Sequence, residues 1–191
     1  MTSSQKKLDF FLNVTVPAAH RRNDIIPHTL IICKYPRLTQ FILDRLSNQL
    51  AINDIRFVES FGVQPGDLAA MLTNIADGTI LCMKDGSCIS KMNSTSFDIL
   101  QQAISSYSIE ITIGKGISAT SHRIDIPRFA LIVCYESLQQ VKRGFKQNFE
   151  YVINIESLSD EEICALEATA AAHECCMSFE ENAIKEIAKA I

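Results

Sequence analysis

The cysteines are the residues of this sequence with the widest range of possible chemistry. There are seven of them, and Cys33, Cys82 and Cys134 lie within or beside separate apolar runs of the kind that form buried strands. If these strands share one parallel sheet, a topological switch point would gather the thiols where a metal or an oxidation reaction could use them. A free cysteine is more often a small buried hydrophobic group, and we expect that role here.

Other side chains form no recognisable catalytic or metal-binding pattern in the sequence. Residues 173–176 (His-Glu-Cys-Cys) place possible ligands together, but no second Cys/His pair has the spacing of a zinc finger. His20, His28 and His122 are scattered, and no serine stands in the sequence context of a nucleophile elbow. The odd number of cysteines also argues against a disulfide framework. We therefore predict that the chain has no metal site.

The composition is that of a protein with one packed core and a modest negative charge. The 191 residues, 47% of them apolar, predict one domain or one domain with a small appended lobe. The net charge of −4 argues against DNA binding by the chain alone, because nonspecific binding depends on cationic groups that displace counterions from phosphate. Two short basic clusters, residues 20–22 and 142–143, are interpreted as solvated. Without a membrane-spanning run or a signal core, we expect a cytoplasmic protein with no membrane contact.

Short apolar runs alternate along the chain with segments of helical periodicity. Buried strands are predicted at residues 30–33, 55–58, 79–83, 129–133 and 151–155. Helices are predicted at residues 41–50, at 67–75 with Asp67 as its cap, from Asn93-Ser94 to 104, from Ser159, and at 180–191. Strands separated by helices predict a parallel sheet with helices on both faces.

A β-hairpin is predicted where the periodicity changes to strict alternation. Residues 108–113 and 122–126 alternate, and Gly114-Lys115-Gly116 supplies a turn between them. The isoleucines of each strand share one face: Ile109, Ile111 and Ile113 on the first strand, with Ile124 and Ile126 available opposite. This face either forms a partner site or packs onto the core, and the alternation fits both cases.

Two blocks of sequence carry a resemblance to a known family. The first block is residues 64–74 (QPGDLAAMLTN). The second starts with Ile113-Gly114-Lys115-Gly116 and continues through Ser118, Ala119, Ser121, Arg123, Asp125, Pro127, Phe129, Leu131 and Ile132. In order and correctly spaced, the two blocks resemble the RuvB family of Holliday-junction branch-migration AAA+ ATPases. The resemblance runs from about Leu12 to the end of the chain. It implies a P-loop NTPase-like three-layer α/β/α fold, with a large lobe at 1–155 that carries the protruding hairpin at 107–126. Residues 156–191 would begin the helical lid lobe, without the winged-helix domain that follows in the family.

The phosphate-binding loop of the family falls on a segment that contains no glycine. The segment reads Cys33, Lys34, Tyr35, Pro36, Arg37, Leu38, Thr39 and Gln40. Such a loop wraps phosphates with backbone N–H groups, and the Cβ atoms of Pro36 and Leu38 obstruct that approach. Thr39 stands at the lysine position and Gln40 at the Mg²⁺-ligating hydroxyl position. Lys34 and Arg37 keep positive charge nearby, which we interpret as solvated rather than as an anion site.

The remaining catalytic positions of the family are replaced as well. Lys84-Asp85 stands where the family has two acidic residues, so that a lysine occupies the magnesium position. The sensor position falls on Tyr135 or Glu136, and the arginine-finger region falls on residues 145–149, where Lys146 is a nearby cation. The resemblance therefore predicts the fold without catalytic residues, bound ATP or Mg²⁺.

The sequence as a whole favours a non-hydrolysing RuvB-like interaction or regulatory module related to DNA recombination and repair motors. In the family the hairpin engages the junction-binding protein RuvA, which implies a partner surface here at Ile109, Ile111, Ile113, Lys115 and Ile124. The partner would be a RuvA-like protein or an active AAA+ ring, and DNA would be contacted only indirectly. Two alternatives stay open: a non-hydrolysing subunit of a mixed ATPase ring, and an active helicase-type enzyme that uses Lys34, or Lys84 with Asp85.

Overall fold

A five-stranded parallel sheet is the centre of the molecule. The computed structural model describes residues 3–50, 55–61, 64–113, 120–155 and 160–174. The strands within this part of the chain are β1 (Thr29–Ile32), β2 (Ile55–Phe57), β3 (Thr79–Met83), β4 (Ser108–Ile113), β5 (Thr120–Asp125), β6 (Phe129–Tyr135) and β7 (Tyr151–Asn154). The sheet has the order β2-β3-β6-β1-β7, and β4 pairs with β5 as a separate antiparallel hairpin. Each predicted strand is confirmed to within about two residues, which is the ordinary uncertainty of element ends.

Helices cover both faces of the sheet. They are α1 (Ser3–Phe10), α2 (Val16–Arg22), α3 (Pro36–Gln49), α4 (Pro65–Thr73), α5 (Ser87–Ser90), α6 (Ser94–Ser106) and α7 (Asp160–Glu174). One face of the sheet packs against α1, α2, α3 and α7, and the other against α4 and α6, each through its own buried apolar cluster. This arrangement confirms the predicted three-layer α/β/α fold.

The first helix of the chain was not predicted. Helices α1 and α2 are joined by one π-helical turn, Phe11–Thr15, whose residues on either side keep helical backbone angles. The N–H of Val16 donates to the carbonyl of Phe11, one residue further back than in an α-helix. Pro17 has no N–H to donate, and the widened turn places it in the first turn of α2. The helix thus passes through a proline that would otherwise end it.

Two helix starts show how capping residues act here. Asn93 caps α6 as predicted, since its side chain accepts a 2.8 Å hydrogen bond from the N–H of Ser96. The predicted cap of α4 is wrong: the helix begins at Pro65, with Gln64 in the cap position and Asp67 exposed in the first turn. Proline is favoured at this first position because the N–H that it lacks has no partner within the helix.

Helix α7 packs against α3 and buries Ile163 and Ala170 in the same cluster as the first-face helices. The predicted division into lobes at 1–155 and 156–191 stays a prediction, and the predicted helix start at Ser159 and helix at 180–191 fall outside the described residues. Within the described ranges, no helix is long and apolar enough to cross a membrane.

Candidate functional site

A cleft of about 310 Å³ opens at the carboxyl ends of the central strands. It lies beside β1 and β6, where the connection after β1 leads towards β2 and the connection after β6 leads to β7. Such a switch point is where α/β sheets bind ligands. The structure brings together both predicted nucleotide-site segments here: the cleft is lined by Cys33, Lys34, Pro36, Thr39, Gln40, Lys84, Asp85, Cys134, Tyr135 and Glu136.

The predicted phosphate loop is largely a helix. Helix α3 begins at Pro36, so residues 36–40 are helical and only residues 33–35 connect it to β1. The N–H of Thr39 donates to the carbonyl of Tyr35 at 3.0 Å, and its hydroxyl donates to the same oxygen at 3.2 Å. Arg37, interpreted from the sequence as solvated, is exposed, and it lies in the first turn of α3 rather than in a loop. A backbone N–H used inside the first helical turn is not available to a phosphate oxygen.

Lys84 and Gln40, which the sequence resemblance assigns to the two magnesium positions, bind each other. The Lys84 ammonium donates a 2.7 Å hydrogen bond to Oε1 of Gln40, and Nε2 of Gln40 donates to Asp44 at 2.6 Å. The same ammonium lies 5.2 Å from the ring centroid of Phe57, at cation–π distance. This donor set does not fit Mg²⁺, which requires an octahedron of oxygen ligands and is repelled by a neighbouring ammonium.

The carboxylate of Asp85 is engaged by its own loop. One of its oxygens accepts the N–H of Ser87 at 2.8 Å and the other accepts the Ser87 hydroxyl at 2.8 Å. The side chain therefore stabilises the turn into α5. On the opposite wall of the cleft, the Lys34 ammonium lies 5.1 Å from the ring centroid of Tyr35.

Tyr135, at the predicted sensor position, borders the cleft but is almost entirely buried in the core. Only 2% of it is exposed. Its ring lies against the backbone of Gly86, where a Cβ atom would collide with it. Burial raises the pKa of Tyr135 to about 12, so the phenol is neutral at physiological pH. The neighbouring Glu136 is exposed and accepts a 3.4 Å hydrogen bond from Gln140.

The predicted arginine-finger region is anchored by aromatic packing. Phe145 and Phe149 stack edge to face with their ring centroids 4.9 Å apart, and Phe97 packs on Phe145 at 5.4 Å. Lys146 between them is exposed. The interpretation of Lys142 as solvated is wrong, because its ammonium lies 4.1 Å from the Phe97 centroid and donates to the carbonyl of Met92 at 3.1 Å.

The three strand cysteines are buried on one face of the sheet. Cys33, Cys82 and Cys134 belong to the apolar cluster beneath α3. Burial raises the pKa of Cys82 to about 12 and that of Cys134 well above its usual range, so neither forms a thiolate at neutral pH. This is the expected role of small hydrophobic groups. Among the described residues, no group of three or more His, Cys, Asp or Glu side chains is arranged to hold a metal ion.

The hairpin keeps only part of the predicted partner surface accessible. Ile109 is fully buried, with 0% exposed, so its assignment to a partner surface is wrong: it packs with Ile126 into the core beneath α6. Ile111 is half-buried against the same cluster, whereas Ile124 is 37% exposed. Lys115 and the side chain of Ile113 fall outside the described residues. The exposed surface of the hairpin lies along β5, all of whose residues are exposed.

A model of one protein family matches residues 2–155, and its description is "Holliday junction DNA helicase RuvB P-loop domain". The chain belongs to this RuvB family. A relative is the Holliday junction branch migration complex subunit RuvB of Campylobacter jejuni, 29% identical over 185 residues, which are 97% of this chain and 54% of the relative. The chain thus spans about half the length of the curated RuvB relatives that it matches.

Solved RuvB structures show the same fold. The Thermotoga maritima RuvB Holliday junction branch migration motor is 20% identical to this chain, with a TM-score of 0.64 over 97% of this chain and 56% of the motor. A mutant of the same protein gives a TM-score of 0.66 at 22% identity, with the same coverage. At these identities the likeness establishes the P-loop NTPase-like fold, and with the family match it places this chain among the RuvB-type proteins.

Three residues that contact the lining of the cleft were not singled out from the sequence. Asp44 lies four residues after Gln40 on α3, a spacing at which helical side chains meet, so this pair had a readable signal. Gly86 follows Lys84-Asp85 directly, and a glycine after a buried strand is a recognisable sign of close packing. Phe57 had no such signal, because its contact with Lys84 depends on the pairing of β2 with β3.

Proposed function

We propose that this RuvB-type chain does not hydrolyse ATP and acts as a protein-interaction module in DNA recombination or repair. The observation that carries the proposal is the 2.7 Å hydrogen bond from Lys84 to Gln40. In the RuvB family these two positions hold the metal that accompanies the nucleotide. An ammonium already bonded there leaves no place for the divalent ion and adds a charge that repels it.

The first turn of α3 supports the same proposal, because this segment would have to bind the phosphates of the nucleotide. A phosphate-binding loop works by directing free N–H groups at the ligand, and its glycines allow the backbone to approach. Here Pro36 starts the helix without an N–H, and residues 33–40 contain no glycine that would let the backbone approach a phosphate. The two replacements act on different parts of the nucleotide, so restoring one would not restore hydrolysis.

The partner of this module is proposed to be a RuvA-like protein that contacts the hairpin. Strand β5 is exposed throughout, and Ile124 adds an accessible apolar side chain to it. Beside it, Arg123 and Asp125 form an exposed ion pair at 3.8 Å. Apolar groups framed by polar ones are typical of protein interfaces, and the family resemblance points to the same element.

Calorimetric titration of ATP and ADP, with and without Mg²⁺, tests the loss of nucleotide binding. We expect no heat and no thermal shift at millimolar nucleotide, while the Campylobacter jejuni RuvB in the same buffer serves as a positive control. Micromolar binding would overturn the proposal. In that case Lys34→Ala and Lys84→Ala would show whether the enzyme has rebuilt its site around those lysines.

The partner is tested with RuvA and with an active RuvB ring. We expect purified RuvA to bind the chain, and Ile124→Asp to weaken the complex by about tenfold, as is usual for an apolar interface residue. The control is Phe57→Asp, which changes an apolar residue that is 50% exposed on β2, an edge strand of the sheet. Binding to RuvB in sedimentation velocity, without binding to RuvA, would replace the RuvA-like partner by a mixed ring.

A further inference from the structure

A second groove lies at the edge of the sheet, away from the cleft and from the hairpin. It runs between α1 and β7, has a volume of about 510 Å³, and is lined by Lys6, Lys7, Phe10, Glu150, Tyr151 and Val152. We call it the edge groove. It shares no lining residue with the cleft, and its volume is in the range of sites that hold several side chains of a ligand.

The helical wall of the edge groove exposes an unusual amount of apolar surface. Phe10, which lines the groove, is 53% exposed, and Val14, four residues further along and outside the lining, is 47% exposed. The wall is held in place from below, since the rings of Phe11 and Tyr151 lie 5.3 Å apart and the Thr15 hydroxyl is 3.2 Å from the Tyr151 hydroxyl. The apolar surface is therefore preformed, which lowers the cost of binding.

The other wall offers backbone hydrogen-bonding groups. Strand β7 pairs only with β1 among the described strands. The N–H of Tyr151 donates to the carbonyl of His28 on the β1 side. In a parallel pair of strands, the backbone N–H and C=O groups of successive residues point alternately towards and away from the partner strand. Val152 therefore directs its N–H and C=O away from β1 and towards the groove. An open edge of this kind pairs with an extended strand rather than with a helix.

Charge restricts the occupant further. Lys6 and Lys7 are both exposed at one end of the helical wall, one turn before Phe10. A segment lying along β7 with an apolar side chain against Phe10 would bring its neighbouring residues beside these two ammonium groups. Carboxylates beside the two ammonium groups would be attracted, and lysine or arginine there would be repelled. Glu150, exposed on the β7 wall, would repel a carboxylate placed next to it, so acidic residues are favoured only beside the lysines.

We propose that the edge groove binds an extended segment of a partner protein, with an apolar side chain against Phe10 and carboxylates beside Lys6 and Lys7. The segment pairs, as a parallel or antiparallel strand, with the backbone groups of Val152 that face away from β1. This site is independent of the proposed hairpin contact, because no residue of the hairpin lines the groove. The chain therefore has a second attachment point for a protein, chosen by apolar and acidic residues in an extended conformation.

A random nonapeptide library displayed on phage is the probe. The library is selected on the whole chain and counter-selected on Phe10→Asp, and an enriched peptide is then synthesised for fluorescence polarisation. We expect peptides that combine aliphatic or aromatic residues with Asp or Glu. Phe10→Asp and the double change Lys6→Glu with Lys7→Glu should each weaken binding by about tenfold, and the lysine change should also remove most of its salt dependence. Phe57→Asp, a similarly exposed phenylalanine elsewhere, should leave affinity unchanged.

Backbone pairing is tested by methylating single peptide nitrogens. Methylation at alternate positions should abolish binding while the intervening positions tolerate it. Equal loss at every position would overturn the extended conformation. The site itself is overturned if no peptide survives counter-selection, or if Phe10→Asp with unchanged thermal stability binds as well as the parent. Two further comparisons of the parent with Phe10→Asp would overturn it. If the parent binds phosphatidylserine vesicles and the variant does not, the occupant is a membrane. If the parent forms a concentration-dependent dimer and the variant does not, the occupant is a second copy of the chain.

Discussion

The ring of Tyr135 lies directly over Gly86, and the space between them has no room for even a methyl group. Tyr135 ends the central strand β6, and Gly86 follows β3 in the loop that carries Lys84 and Asp85. The N–H of Gly86 donates to the carbonyl of Cys134 at 2.8 Å, which holds the loop against β6. The large side chain and the absent one are thus complementary, and together they fill the floor of the cleft.

Replacing Gly86 by alanine should destabilise the protein. The added methyl group would be forced into the Tyr135 ring, and overpacking of this kind costs about 1–3 kcal/mol. Gly66→Ala is the matched control, because a Cβ there meets nothing within 4 Å and lies in the first turn of α4. We expect the control to be neutral or stabilising by up to about 1 kcal/mol. Urea unfolding measures both.

The double variant Gly86→Ala with Tyr135→Ala tests whether the stability loss comes from the collision with the Tyr135 ring or from a requirement for glycine that is independent of the ring. Removing the ring removes the collision, so the double variant should be about as stable as Tyr135→Ala alone. If the two losses instead add, the Gly86–Tyr135 contact is not the cause.

Replacing Lys84 by aspartate should raise the affinity of the chain for divalent metal. The change removes the ammonium bonded to Gln40 and places a carboxylate next to Asp85. Two unit charges about 4 Å apart in water interact with a free energy of about 1 kcal/mol. Replacing a repelling charge by an attracting one should therefore raise the affinity for Mn²⁺ by about tenfold or more. Electron paramagnetic resonance of free Mn²⁺ measures it.

The control for Lys84→Asp is Lys91→Asp, which makes the same charge change on the exposed lysine that follows α5. Equal Mn²⁺ affinity in both variants would mean that net charge, rather than the magnesium position, governs metal binding. ATP binding should stay absent in Lys84→Asp, because the first turn of α3 is unchanged.

The pH dependence of stability should carry a contribution from His28. Burial lowers the pKa of His28 to about 4, and its Nδ1 accepts the N–H of Leu131 at 3.0 Å. An unfolded histidine binds its proton near pH 6.5, so between about pH 6.5 and 4 the unfolded state holds more protons than the folded state. Stability should therefore fall as pH falls through this window, by about 3 kcal/mol in all.

Urea unfolding at pH 7.5, 5.5 and 4.5 measures the His28 contribution. His28→Asn keeps an acceptor near Leu131 without a titrating group, so its stability should fall less steeply with acid than that of the parent chain. His122→Gln, at an exposed histidine, is the control and should keep the parent's slope. Parallel slopes for all three proteins would contradict the prediction.

The local sequence pattern was sufficient to predict the strands of the sheet, but it was not sufficient to predict the contacts within the cleft. Apolar runs and alternation predicted the strands because each depends on neighbours in the chain. The helix before β1 was missed, although Leu8, Leu12 and Val16 have helical spacing, because Pro17 reads as a helix end. The bond between Lys84 and Gln40 joins residues 44 apart in sequence, and only the packing of α3 against β3 brings them together.

Ile109 and Ile124 are cross-strand neighbours on one face of the hairpin, and the same change should affect them differently. Ile109→Ala opens a cavity in the core under α6 and should cost about 2–5 kcal/mol. Ile124→Ala removes a partly exposed side chain and should cost about 1 kcal/mol or less. Urea unfolding of the two variants measures this difference. RuvA binding should show the reverse order among folded proteins, with Ile124→Ala the weaker binder, because Ile124 is accessible and Ile109 is not. If Ile109→Ala is as stable as the parent and binds RuvA less well than Ile124→Ala, strand β4 rather than β5 is the contact.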